Sequence, residues 1–88
     1  MKVEIQLKIG KDMKRISDEY VLKSFYKFIE LCTQSNDLKD ISQIKKITWS
    51  KSHYRYRIRD YRVGMRYDND ILFIERILHR KDIYKVFP

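Results

Sequence analysis

In the run HYRYRIRDYRVGMRY, residues 53–67, basic residues alternate with tyrosines and aliphatics on both sides of Arg59-Asp60. A two-residue period belongs to a strand with two chemically different faces and is incompatible with a helix. In the first half Tyr54, Tyr56 and Ile58 share one face, and Arg55, Arg57 and Arg59 the other. In the second half Tyr61, Val63, Met65 and Tyr67 oppose Arg62, Gly64 and Arg66. If Arg59 and Asp60 form a two-residue hairpin turn, Ile58 faces Tyr61, Tyr56 faces Val63 and Tyr54 faces Met65. The same register sets Arg57 opposite Arg62, Arg55 opposite Gly64, and His53 opposite Arg66. Like charges facing each other across a sheet cost up to about 1 kcal/mol per pair, so stability does not explain this face, and a bound anion would relieve it. Gly64 leaves a shallow gap between the arginines where another backbone could approach. Asp68, Asn69 and Asp70 form a turn cluster, and ILFIERIL, residues 71–78, reads as a third strand, apolar on both sides and therefore central.

The N-terminal half follows other rules. Val3, Ile5, Leu7 and Ile9 alternate with polar residues, which predicts a strand that Gly10 ends. The polar stretch 11–16 fits a short helical turn, with Ser17 as N-cap of a longer helix and Asp18 and Glu19 at its positive end. Over residues 18–34, Val21, Leu22, Phe25, Phe28, Ile29 and Cys32 recur at the spacing of one helical face, which should pack on the sheet. Cys32 continues that stripe and reads as a buried, inert thiol. Residues 33–40 read as a loop and 38–47 as an irregular or briefly helical connection.

At 88 residues the chain is expected to form one domain, residues 1–88, with a modest core. Its net charge of +8 is unevenly spread. Residues 1–44 carry eight basic against seven acidic side chains, whereas residues 45–88 carry twelve against five. Such a one-signed half favours a polyanionic partner. A lone cysteine excludes an internal disulfide and fits a reducing cytoplasm. No segment has the length of a signal peptide core or a membrane span, so a soluble cytoplasmic protein with no membrane partner is expected. His53 and His79 lack metal-ligand spacing, and no phosphate-loop or dinucleotide fingerprint is present, so neither metal nor cofactor is expected. The best helix carries no basic recognition face, which argues against base-specific reading of DNA.

The string YRYRIRDYRVGMRYDNDILFIERILHRKDIYKVF, residues 54–87, resembles the RelE/ParE toxin signature, YRxRxGDYRVxY followed by a turn, an apolar strand and HRxxxY. The match falls on Tyr54, Arg55, Arg57, Asp60, Tyr61, Arg62, Val63, His79, Arg80 and Tyr84. The preceding strand and two helices agree with that family's β-α-α-β-β-β order. The resemblance implies an α+β fold, with antiparallel C-terminal strands in a twisted sheet packed against two N-terminal helices. It further implies the toxin of a type II toxin–antitoxin pair, neutralised by a small cognate antitoxin. RelE-like members cut messenger RNA on the ribosome, by attack of a 2′-hydroxyl on the adjacent phosphate. ParE-like members share the fold and inhibit DNA gyrase, and an inactive toxin would retain only binding to antitoxin or nucleic acid.

On the RelE-like reading, the catalytic set is Arg57, Arg62, His79, Arg80 and Tyr84, with Lys51, His53, Arg55 and Arg66 holding RNA phosphates. Arginines suit a developing dianion but do not readily accept a proton, their pKa being above about 12. Relatives often carry lysine where this chain has Arg55 or Arg57. The proton-transfer role therefore falls to His79 or Tyr84. Arg59, standing where glycine usually precedes Asp60, is the second departure from the pattern.

Overall fold

The computed structural model describes residues 1–88. Strand β1 (Lys2–Ile5) is followed by helices α1 (Lys8–Lys14) and α2 (Glu19–Gln34), and a 3-10 turn spans Leu38–Asp40. Strands β2 (Lys45–Lys46), β3 (His53–Ile58), β4 (Tyr61–Asp68) and β5 (Ile71–His79) precede a last short helix, α3 (Ile83–Val86). The sheet runs β1-β5-β4-β3-β2, with β1 parallel to β5 and every other pair antiparallel. No helix is long and apolar enough to cross a membrane.

The arginine hairpin adopts the expected register at every position, from His53 opposite Arg66 to Ile58 opposite Tyr61. Arg59 takes the left-handed conformation the turn demands, with φ of 52°. That conformation usually favours glycine. The ion pair of Arg59 with Asp18 at 3.1 Å and its guanidinium 3.9 Å above the Tyr20 ring hold the non-glycine residue there. In the β4–β5 turn Asn69 and Asp70 both have positive φ, as a type I′ hairpin requires.

Helices α1 and α2 cover the tyrosine face. Val21, Phe25, Phe28 and Cys32 of α2 are buried against Ile58, Val63, Met65, Leu72, Ile74 and Ile77 of the sheet. Phe28 stacks on Tyr56 with ring centroids 3.9 Å apart. Each such side chain contributes about 1.5–3 kcal/mol when fully buried.

The structure corrects the N-terminal reading in two places. The first strand stops at Ile5, and Gly10 lies inside α1 rather than ending a strand. Ile9, Asp12, Met13 and Ile16 recur at helical spacing and turn inward, whereas Leu7, the third member of the apparent alternation, is 97% exposed. Helical packing of 9, 12, 13 and 16 outweighs an alternation that would have buried Leu7. Asp18, not Ser17, caps α2, its carboxylate accepting from the Tyr20 amide at 2.9 Å. Asp12 is buried because it closes the β5 edge beyond the end of β1. It accepts two hydrogen bonds from Arg76, both 2.9 Å, and one from the Ile77 amide at 3.1 Å.

A bulge opposite Gly64 and Met65 leaves Glu75 of β5 without a partner. It shifts the strand's phase by one residue, so that Leu72 and Ile74 are followed on the core face by Ile77 in place of Arg76. Leu78 then points to the other side. There it forms a second, smaller core with Ile47, Ile83 and Phe87.

Candidate nucleic-acid interface

The second core stands on the arginine face and fastens the C-terminal segment across it. Phe87 rests on Gly64: a Cβ built at residue 64 would lie 2.7 Å from two atoms of the Phe87 ring. The gap expected between the arginines is therefore filled by the chain itself. It divides the cationic face into two parts that alternation along the strands does not distinguish.

On one side of Phe87, a cleft of about 400 Å³ is lined by Lys46, Ile47, Thr48, Trp49, Arg55, Arg62, Arg80 and Tyr84. Five segments converge here. Lys46 comes from edge strand β2, Trp49 from the β2–β3 loop, Arg55 from β3, Arg62 from β4, and Arg80 and Tyr84 from the segment after β5. Arg62 is tied to its own turn, one nitrogen donating to the carbonyl oxygens of Arg59 at 2.8 Å and Tyr61 at 2.9 Å. Burial first, and then the facing guanidinium of Arg57, hold the Arg62 pKa below its ordinary value, with Arg55 and Arg80 acting the same way and Tyr84 against them. Arg80 is anchored through its amide, which donates to the Asp60 carbonyl at 2.7 Å, while its side chain stays largely exposed, 3.8 Å from the Asp60 carboxylate. Tyr84 is 44% exposed and meets the Trp49 ring edge-on, centroids 5.9 Å apart. An anion entering this cleft meets three guanidiniums and an ammonium in a partly desolvated recess, which is the environment a phosphate dianion needs.

The remaining residues expected at the site lie elsewhere. Arg57, directly opposite Arg62 in the register, faces an adjoining open groove with Ser42, Gln43, Lys45, Lys46 and Arg55. Arg66 lies beyond Phe87, engaged by Glu75 at 3.1 Å and Asp68 at 3.5 Å, with its guanidinium 4.1 Å above the Phe73 ring. His53 packs edge-on against Phe87 and shares a 2.6 Å hydrogen bond with the Ser50 hydroxyl, so it supports the cleft from behind. Lys51 is exposed and lines no part of the cleft.

His79 is not brought to the cleft at all. It is the register partner of Tyr61, stacks edge-on with that ring at 5.5 Å, and accepts a hydrogen bond from the Lys81 amide at 3.1 Å. Tyr61 lies on the helix-covered face, and the β5 bulge gives His79 the same parity. Conversely, Lys46 and Trp49 belong to the cleft although neither is among the expected site residues. Their segment has a strand of two residues, too short to leave a periodic signal, and only pairing with β3 at Lys46 and Tyr54 reveals it. The ammonium of Lys46 donates to the Ser50 carbonyl, which holds the side chain beside the loop that carries Trp49.

A five-stranded sheet with two helices on one face and a cationic cleft on the other is the architecture this chain shares with a family of small toxins. The family model described as the ParE toxin of the type II toxin–antitoxin system parDE matches residues 3–84, and the chain belongs to the RelE/ParE family. It is 38% identical over 89 residues to Toxin RelE3 of Methanocaldococcus jannaschii, with 100% of both chains covered. The crystal structure of the RelB-RelE antitoxin-toxin complex from Methanococcus jannaschii is similar with a TM-score of 0.78 at 35% identity, covering 96% of this chain and 98% of that one. Within the family the chain is therefore RelE-like.

Proposed function

We propose that this toxin is a messenger RNA endonuclease that acts on the ribosome in the cytoplasm and is held inactive by a small cognate antitoxin. The observation that carries the proposal is the meeting of Arg55, Arg62, Arg80 and Tyr84 in one cleft. In the reaction, the 2′-oxygen of one nucleotide bonds to the adjacent phosphorus and the bond from phosphorus to the 5′-oxygen breaks. One proton leaves the 2′-hydroxyl and one reaches the departing oxygen. Arg55, Arg62 and Arg80 would hold the non-bridging oxygens as charge builds on them. Among the lining residues, Tyr84 and Lys46 are the groups suited to move those protons. The similarity to a toxin solved with its antitoxin supports the antitoxin as partner.

The ParE description of the matching family supports a second reading, inhibition of DNA gyrase without nuclease chemistry. Purified protein added to translating ribosomes separates the two. Cleavage within translated regions is expected, reduced about 100- to 1,000-fold by Arg62→Ala or Arg80→Ala in chains that remain folded. Intact transcripts, with blocked DNA supercoiling in a parallel gyrase assay, would replace the nuclease reading by the second.

A further inference from the structure

We propose that Trp49 is a stacking platform for a nucleobase of single-stranded RNA whose phosphate occupies the cleft, an inference that rests on the nuclease reading above. Trp49 is 67% exposed and belongs to neither core. Its only ring partner is Tyr84, met edge-on at an interplanar angle of 69°.

The exposure is built rather than incidental, because the loop carrying Trp49 is tied on both sides. The Ile47 amide donates to the His53 carbonyl at 2.9 Å, and the Ser50 amide donates back to the Ile47 carbonyl at 3.1 Å. The Ser50 hydroxyl meets His53 Nδ1 at 2.6 Å, and the Tyr67 amide donates to the Ser52 carbonyl at 2.9 Å. Ile47 is itself buried in the second core. A rigid loop thus holds a bare indole at the rim of a recess whose other lining groups include Lys46, Arg55, Arg62 and Arg80.

That combination is chemically selective. Cations alone recognise phosphate, and an indole alone would accept any apolar partner. An aromatic face beside a cationic recess matches an unpaired nucleotide, whose base is attached close to its phosphate. A duplex would keep its bases stacked inside and offer no free face to Trp49. Because every base has a π-face, stacking here positions the strand without dictating its sequence.

Trp49 is the only tryptophan in the chain, so its emission reports on the cleft alone. The probe is a non-cleavable 2′-O-methyl hexanucleotide, compared with the same strand made abasic at successive positions. Saturable quenching is expected with the intact strand, lost when one particular base is removed although the strand still binds. Trp49→Ala should weaken binding of the intact strand about 5- to 100-fold and leave the abasic strand unaffected, with Trp49→Phe in between.

Absence of quenching, or equal affinity of wild type and Trp49→Ala for the intact strand, overturns the inference. So does a Trp49→Ala chain that loses only antitoxin affinity, which would assign the indole to a protein contact. Quenching by a wild-type chain that leaves transcripts on translating ribosomes intact overturns the nuclease reading instead, and stacking stands.

Discussion

Arg62 shows how a side chain can be both half-buried and available. One nitrogen is spent on two backbone carbonyls of its own turn, which sets the orientation of the planar guanidinium, and its other donors are left for an anion. The alternation of residues 53–67 exposed this residue to sequence reading, because parity along a strand is local. His79 escaped the same reading because its parity depends on the bulge between it and the turn. Cys32 was legible from helical spacing alone, and burial pushes its thiol up to about 12. The folded chain therefore keeps a proton that the unfolded chain releases from its ordinary value of 9.0 upward. Stability should fall between about pH 9 and pH 12, by up to about 1.4 kcal/mol per pH unit from this residue. Urea midpoints measured across that range should fall more steeply for wild type than for Cys32→Ala. Parallel slopes would contradict the assignment.

At the scale of elements, the decisive contact joins the middle of the sheet to the end of the chain. Phe87 fills the space a side chain at residue 64 would need, and the ring also touches His53 and completes the core of Ile47, Leu78 and Ile83. Tyr84 is carried on the helix that this contact fastens down. Gly64→Ala should displace Phe87 at a cost of about 1–3 kcal/mol, as overpacking does. In a Phe87→Ala background the same substitution meets no ring, and alanine's better strand propensity should make it neutral or slightly stabilising. Denaturant titration of the four chains of this cycle measures the coupling, and additive effects would show that the contact is not formed in solution. The glycine was visible in the sequence as an interruption, but nothing local identified the residue that fills it.

Over the whole molecule, the excess charge and the main core occupy opposite faces of one sheet. The helices neutralise little of the charge, because the half of the chain that forms them is nearly balanced, while the sheet half carries the surplus. Of the basic residues on the sheet, Arg66 and Arg76 are already matched by carboxylates at 3.1 Å and 2.9 Å. Lys46, Arg55 and Arg62 form no ion pair, and Arg80 forms only a long one. Binding of single-stranded RNA should follow that local count and not the net charge of +8. For about three phosphates neutralised in the cleft, the logarithm of the affinity should fall with the logarithm of salt concentration at a slope near −2. Titrations at several salt concentrations would test this, and a slope steeper than about −5 would mean that the entire basic surface is engaged.

What the amino-acid sequence determined by itself was most of what carries a short repeat, the alternation of residues 3–9 excepted. Tyrosine and arginine faces, the turn at Arg59 and Asp60, the full register of the hairpin and the buried stripe of α2 all follow from neighbours two to four residues apart. The family signature rests on those same segments. What tertiary structure decided was which cations meet. Alternation places Arg55, Arg57, Arg62 and Arg66 on one face, but Phe87 on Gly64 separates Arg66 from the cleft, and the β5 bulge turns His79 to the other side. Lys46 and Trp49 enter from a two-residue strand and its loop. Each of these outcomes depends on a contact between residues far apart in the chain, and such contacts leave no periodic trace in the sequence.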